Sequence, residues 1–127
     1  MPGKVWYSKN KKEKIMDCLF CAIINGDIPS KKVYEDEVCY AFYDINPQSP
    51  VHFLVVPKLH IASADEICEE NAAVVAHIFG KIPDIAKTAG IKNGYRVVTN
   101  VGEDGCQSVK HIHFHVLGGT KLSESMA

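Results

Sequence analysis

The spacing of hydrophobic positions changes along the chain, and each spacing predicts a different element. In DCLFCAIINGDIPS the apolar residues recur at helical intervals, so we expect a short helix that Asp17 caps and that ends at Gly26. KVYEDE and VCYAFYD predict two strands around an acidic turn, with Tyr40 and Phe42 on one face of the second strand. HFLVVPK is apolar throughout, as expected of a central strand that Pro57 ends.

The longest helical signal covers residues 63–90. Ser63 and Glu66 have the spacing of a capping box, which predicts that the helix begins there. Pro83 lacks a backbone donor and is expected to kink or divide the helix, and Gly90 is expected to end it. The apolar residues that recur every three or four positions predict a buried stripe of Val74, Ile78, Ile82, Ile85 and Ala89.

Two further segments, YRVVTNV and HIHFHVL, predict the last strands, with the polar turn GEDGCQS between them. The predicted order is therefore a helix, three strands, a long helix and two strands. Because neighbouring strands joined by short turns pair antiparallel, we expect an α+β fold with a mostly antiparallel five-stranded sheet, one short helix and one long helix. Residues 17–127 are expected to form this single domain, after a flexible basic tail over residues 1–16.

Composition narrows the class of protein. The chain has 127 residues, 46% of them hydrophobic, and a net charge of −1, which suits one domain with one core. Without a basic excess we expect no specific nucleic-acid partner, and no apolar run approaches the roughly 20 residues that span a membrane. The 5 cysteines are odd in number and no export signal is visible. We therefore expect reduced thiols in a cytoplasmic protein that can reach the nucleus by diffusion.

Half of the 6 histidines lie at alternate positions of one predicted strand, as His111, His113 and His115. Side chains of a strand alternate between faces, so the three imidazoles share a face. Three interpretations compete, namely a solvated face, a three-histidine metal site and acid–base or nucleophilic catalysis. The preceding GEDGCQSV supplies small residues, backbone amides and the Ser108 hydroxyl, a combination that can cradle an anion beside the imidazoles.

Several collinear motifs then match one family. HIHFHVL followed by GG, together with CLFCAIINGDIPS, AFYDINPQSPVHFLVVPKLHI, GYRVVTN and CQSV, resembles the histidine triad (HIT) superfamily and its Hint branch, the histidine triad nucleotide-binding proteins. The resemblance implies a HIT-like fold. It also implies a purine nucleotide-binding hydrolase that cleaves the P–N bond of nucleoside 5′-phosphoramidates, such as adenosine 5′-monophosphoramidate.

The resemblance also implies residue roles. His113 is the expected nucleophile and forms a nucleotidyl-imidazole, while His115 contacts the phosphate and assists the leaving group. His111 supports the constellation, and His52 is expected to orient His113 through its second ring nitrogen. The phosphate site is expected to contain Asn100, Cys106, Gln107, Ser108 and Val109; Asp44 is expected to bind the ribose; and the purine pocket is expected to contain Phe20, Ile23, Ile28, Phe42, Tyr43 and Ile45.

The resemblance also implies an assembly and a cofactor requirement. Similar proteins are homodimers in which the long helix and a strand pair across the two-fold axis, and no cofactor is required for catalysis. Two departures bear on specificity. Cys106 occupies a position that is often glycine in this branch, and the C-terminus TKLSESMA lacks the tryptophan and proline that often occur there.

Cys18 and Cys21 have the spacing of half a zinc site, and both thiols of a helix can point to one side at this spacing. In some similar proteins two histidines complete a tetrahedral structural zinc, and the corresponding residues here are His60 and His111. The alternative is a pair of buried thiols near the helix start. A redox pair is disfavoured because no thioredoxin-like context surrounds it.

Three other functions stay open at this point. A cysteine hydrolase would use Cys106 with a neighbouring histidine. A dinucleoside polyphosphate hydrolase belongs to a sister branch of the superfamily, and the HVLGG ending argues against it. A largely non-catalytic nucleotide-binding adaptor would keep the fold without the chemistry.

Overall fold

The structure is a computed structural model that describes residues 18–126. Its elements are α1 (Leu19–Ile24), β1 (Lys32–Glu35), β2 (Cys39–Tyr43), β3 (Val51–Pro57), a 3₁₀ turn (Ala64–Glu66), α2 (Ala72–Thr88), β4 (Tyr95–Val98) and β5 (Phe114–Gly118). The five strands form one sheet in which every neighbouring pair is antiparallel. The predicted α+β fold with one short and one long helix is confirmed. The basic tail and Asp17 lie outside the described residues.

The sheet order is β1-β2-β3-β5-β4, so β3 is the central strand, as its continuous apolar sequence predicts. The last strand of the chain, β5, lies between β3 and β4 and pairs with both. Both faces of β3 are covered, which explains why six of its seven residues are buried.

The two faces of the sheet have different partners. On one face Phe53 and Val116 pack against the buried stripe of α2, in a core that contains Ile78, Ile82 and Ile85. Burying each of these isoleucines contributes about 1.5–3 kcal/mol relative to exposure. On the other face Leu54, Val56 and Phe42 pack against α1 in a second, smaller cluster. The histidines of the sheet lie on this second face.

The start of the long helix differs from the prediction. The Ser63 hydroxyl accepts a hydrogen bond from the Asp65 amide at 3.2 Å and caps only the short 3₁₀ turn. Ile67 then adopts an extended backbone, which ends the helical path, and α2 begins at Ala72. The predicted capping box is therefore wrong as the start of α2. The helix also continues through Pro83 without being divided, and Gly90, at φ +91°, follows its end as predicted.

The short helix is capped by a thiol. Cys18 stands at the N-cap, and its Sγ accepts a hydrogen bond from the Cys21 amide at 3.4 Å. The helix ends at Ile24, before Gly26 at φ +84°, in agreement with the predicted stop. Both thiols therefore lie at the beginning of α1, beside the second face of the sheet.

Candidate active site

The histidine row lies on the α1 side of the sheet. Alternation is as predicted, because Ile112, Phe114 and Val116 pack in the core on the α2 side. The regular strand begins only at Phe114, so His111 and His113 precede it and only His115 is a strand residue. His111 and His113 are buried and His115 is half-buried. The interpretation of the row as a solvated face is therefore wrong.

Hydrogen bonding fixes the proton on the His113 ring. Its Nδ1 lies 2.8 Å from the His111 carbonyl oxygen, which can only accept, so Nδ1 carries the hydrogen and Nε2 the lone pair. Burial lowers the pKa of His113, outweighing the opposing effect of that backbone hydrogen bond. The ring is therefore neutral near pH 7 and can act as a nucleophile through Nε2.

A second pair of imidazoles forms beside it. The Gln48 backbone amide donates a hydrogen bond to His52 Nδ1 at 3.0 Å, so the ring hydrogen of His52 is on Nε2. That Nε2 lies 2.9 Å from His115 Nδ1 and donates to it, which leaves the His115 hydrogen on Nε2. Burial, followed by the nearby His113 and His52, lowers the pKa of His115 to about 4. His115 is therefore a neutral N–H donor.

The prediction that His52 orients His113 is wrong, because His52 contacts His115 instead. Strand register explains the difference, because His52 lies opposite Leu117 of β5, within reach of His115 rather than of His113. The second nitrogen of His113 is held instead by the His111 carbonyl. A further contact that the sequence analysis missed is Thr99, whose hydroxyl donates to the His113 carbonyl at 2.8 Å. Thr99 lies within the GYRVVTN motif, but only the fold shows that its hydroxyl reaches His113.

The Asp44 carboxylate lies at the edge of this histidine pair. One oxygen accepts a hydrogen bond from the Asn46 backbone amide at 2.8 Å, and the other lies 3.4 Å from His52 Nε2. Burial is the main cause that lowers the pKa of His52, and the charge on Asp44 opposes it. Asp44 therefore faces the site from the loop after β2.

The residues expected around the purine separate into three groups. Phe20, Ile23 and Phe42 pack together in one cluster, and the Phe20 ring stands edge-on to His113 with centroids 4.9 Å apart. Tyr43 packs on the opposite face of the sheet, so its predicted place beside Phe42 is wrong: adjacent strand residues point to opposite sides. Two expected wall residues are open to solvent, Ile28 at 37% and Ile45 at 100% exposure, and neither joins the buried cluster.

The loop before the histidine row is held by Gln107. Its Oε1 accepts from the Gly102 amide, and its Nε2 donates to the carbonyls of Ala62 and Val109. The Gln107 side chain thus shapes the loop that is expected to contain the phosphate site. Of the other residues expected there, Val109 packs on the cluster around Phe20, Asn100 is half-buried, and Cys106 and Ser108 are exposed.

A second group of polar side chains lies directly behind His111. Cys18, Cys21, His60 and His111 place one sulfur or nitrogen atom each within 4.8 Å of one another. Sulfur and Nδ1 atoms are 3.4 Å apart for Cys18 and His111 and 3.2 Å apart for Cys21 and His60. Tetrahedral zinc with Zn–S near 2.3 Å and Zn–N near 2.0 Å requires sulfur–nitrogen separations of about 3.5 Å.

The tautomer of His111 also suits a metal. Its Nε2 donates to the Pro57 carbonyl at 2.8 Å, so the Nδ1 that faces the thiols carries a lone pair. The hydrogen bond with Cys21 lowers the pKa of the Cys18 thiol although burial opposes it. The hydrogen bond with Cys18, together with burial, raises the pKa of the Cys21 thiol. The donor set, its spacing and the tautomer of His111 fit zinc.

A third group lies on the other side of the sheet and was not found from the sequence. Asp36 accepts hydrogen bonds from Tyr34 and His77, each at 2.7 Å, and from the amides of Val38 and Cys39. Every partner belongs to the β1–β2 hairpin or to α2, so the group joins the helix to the edge of the sheet. Its geometry is that of a structural contact.

Fold and site together define a small α+β protein of the histidine-triad class. A family model for the HIT domain matches residues 25–122, and the chain therefore belongs to the HIT family. It is 45% identical over 107 residues to an uncharacterized HIT-like protein of Synechococcus elongatus, covering 84% of this chain and 94% of that one. No helix within residues 18–126 is long and apolar enough to cross a membrane.

Two solved structures show the same fold. A histidine triad protein from Clostridium difficile is 50% identical and superposes with a TM-score of 0.83, covering 87% of this chain and 96% of that one. A HIT family hydrolase from Clostridium thermocellum is 43% identical with a TM-score of 0.85, covering 87% and 97%.

Proposed function

We propose that this protein, as a member of the Hint branch, is a hydrolase that binds a purine nucleotide and cleaves the P–N bond of nucleoside 5′-phosphoramidates. The observation that carries the proposal is the neutral His113 ring, whose Nδ1 is fixed by the His111 carbonyl at 2.8 Å and whose Nε2 bears the lone pair. The name of the relative from Clostridium thermocellum, a HIT family hydrolase, supports the reaction class.

The proposed reaction has two displacements at phosphorus. His113 Nε2 attacks, the P–N bond breaks, and the amine leaves with a proton taken from solvent, while the neutral His115 donates its Nε2 hydrogen bond to the phosphoryl group and the departing amine. Water then attacks the same phosphorus, the bond to His113 breaks, and the water proton is released to solvent as the nucleoside monophosphate departs. His52 holds the donor tautomer of His115 through their 2.9 Å contact, so His52 is a positioning residue.

The surroundings support a nucleotide with a purine base. Phe20 and Phe42 offer aromatic surface next to His113, and their rings pack edge-on with centroids 5.6 Å apart. The Asp44 carboxylate lies 3.4 Å from His52 Nε2 at the edge of the histidine pair, and from there it can accept hydrogen bonds from ribose hydroxyls. The loop over residues 102–108 supplies backbone amides and the Ser108 hydroxyl for the phosphate.

The test is hydrolysis of adenosine 5′-monophosphoramidate by the wild type and by His113→Ala. Removal of a nucleophile is expected to lower kcat/KM by about 10⁴-fold or more. His77→Ala is the matched control, because His77 is a histidine on the opposite side of the sheet. Equal rates in wild type and His113→Ala would refute the assigned role. Wild-type cleavage of a diadenosine polyphosphate but not of the phosphoramidate would support the sister class of substrate.

We also propose a structural zinc held by Cys18, Cys21, His60 and His111, while catalysis itself requires no cofactor. The support is the donor set described above, in which three residues are buried and His60 is half-buried, with His111 Nε2 already bonded to Pro57. Metal analysis of freshly purified wild type should give about one zinc per chain, and Cys18→Ser should lose most of it. Wild type that is free of zinc after purification without chelator would refute the site.

A homodimer that joins two sheets through α2 and β4 is the proposed assembly. β4 is an edge strand, and the large apolar side chains of Phe79 and Tyr95 are exposed at 48% and 39%. Light scattering should give twice the chain mass, and Phe79→Glu should shift the mass toward the monomer. A monomeric wild type at micromolar concentration would refute this arrangement. The cytoplasmic location stays a prediction.

A further inference from the structure

One residue connects the group of thiols with the nucleophile. The His111 ring faces Cys18 through Nδ1 at 3.4 Å and Cys21 at 3.5 Å, while its carbonyl accepts the Nδ1 hydrogen of His113 at 2.8 Å. The side chain of His111 thus belongs to the candidate metal site, and its main chain belongs to the candidate active site. Any rotation of this residue moves both.

A second connection runs through α1. Phe20 is the residue before Cys21, and its ring stands edge-on to the His111 ring and to the His113 ring, with centroids 6.0 Å and 4.9 Å apart. The helix has only six residues, and a helix this short is not stable by itself. Its position therefore depends on its packing against the sheet and on what its two thiols bind.

We propose that a metal bound at Cys18, Cys21, His60 and His111 positions His113 for attack on phosphorus, so that these ligands are positioning residues of the active site. This inference rests on the proposed phosphoramidase function and on the proposed zinc. Without the ion, the thiols of α1 contact His60 and His111 through sulfur–nitrogen separations of 3.2–3.5 Å. Coordination bonds are shorter and directional, and they fix the His111 ring and hence the direction of its carbonyl.

Zinc binding and nucleotide binding should affect each other reciprocally. If zinc raises the affinity for adenosine monophosphate, then the nucleotide must raise the affinity for zinc by the same factor, because coupling between two sites is mutual. For contacts as direct as those through His111 we expect a factor of about ten in both directions. A zinc that only stabilises the fold locally has no reason to show this symmetry.

The experiment uses the full chain in zinc-loaded and metal-free forms, the latter prepared with a chelator. Calorimetry measures the Kd for adenosine monophosphate in both forms, and competition with a zinc indicator measures zinc affinity with and without the nucleotide. Substitution by cobalt(II) adds a spectroscopic readout, since its visible absorption bands respond to the geometry of the ligands. We expect these bands to shift when adenosine monophosphate binds on the His113 side.

Cys18→Ser is the test variant, because serine is a favoured N-cap residue and keeps the helix start while removing a thiolate ligand. Cys68→Ser is the matched control, since Cys68 is exposed and lies outside both sites. The test variant should bind the nucleotide about tenfold more weakly and should not respond to zinc. The control should match the wild type. Chelated wild type serves the same purpose if Cys18→Ser does not fold.

The outcomes separate the proposals. Zinc that binds without changing the nucleotide Kd, or cobalt bands that ignore the nucleotide, would overturn the positioning role and leave both the zinc site and the phosphoramidase standing. A chain that binds nucleotide but no metal would overturn the positioning role together with the zinc site. A chain that binds zinc but no nucleotide in either form would overturn the proposed function, and this inference with it.

Discussion

The loop that precedes the histidine row contains a backbone strain that one substitution should relieve. Cys106 has φ +58°, a left-handed conformation that costs a residue with a Cβ atom about 1–2 kcal/mol. Glycine removes this cost, although it gives the unfolded chain extra freedom worth about 0.4–1 kcal/mol. The Cys106 side chain is exposed, so its removal sacrifices little packing. We therefore expect Cys106→Gly to raise the free energy of unfolding by about 0.5–1 kcal/mol.

Differential scanning calorimetry measures the effect as a rise in Tm of about 2–4 °C for a chain of this size. Cys106→Ala is the matched control, because it removes the thiol but keeps the Cβ atom and hence the strain. A Tm for the glycine variant at or below that of the alanine variant would refute the reasoning. Both variants should also hydrolyse the phosphoramidate, whereas loss of activity in both would favour the cysteine hydrolase.

Three other predictions concern stability and are measured by chemical denaturation. Burial alone would raise the pKa of Asp36, but hydrogen bonds from His77 and its other partners lower it below 3.8. The ionised Asp36 therefore stabilises the fold above about pH 4. Asp36→Asn should therefore cost about 1–2 kcal/mol at pH 7, and its deficit should shrink as the pH falls below 4; a constant deficit would contradict the role of the charge. Gly118→Ala should cost about 1–3 kcal/mol, because its Cβ would lie 2.9 Å from Ile91 Cδ1, and adding Ile91→Val should recover part of the loss. Ile82→Ala should cost about 2–5 kcal/mol without changing nucleotide affinity, since Ile82 packs on the other side of the sheet; weaker nucleotide binding would show that the two faces are coupled.

Local periodicity accounts for most of what the sequence predicts correctly. The alternation around His113 and the helical stripe around Ile82 each arise from a single element, so their spacing alone identifies strand and helix. The same rule shows where the family pattern was carried over too far. Phe42 and Tyr43 are adjacent in β2, and one buried face cannot hold both.

Features that depend on contacts between distant segments could not be predicted in this way. The pairing of His52 with His115 follows from the register of β3 against β5, which depends on how the whole sheet assembles. The late start of β5 has a similar cause, because the His111 ring bonds to Pro57 at the end of β3 and the Ile112 amide bonds to Ile61. The left-handed backbone at Cys106 has no signal in the cysteine itself, because only the frequent glycine of the family at this position is typical of that conformation.

The position of β5 between β3 and β4 bears on how the chain matures during its synthesis. A ribosome makes both flanking strands first, so a nascent chain that stops at residue 110 presents two open strand edges across a gap. The segment that fills the gap also brings His113 and His115. Premature termination is therefore expected to give an aggregation-prone fragment, because the last stretch to be translated completes the sheet and also contains both of these histidines.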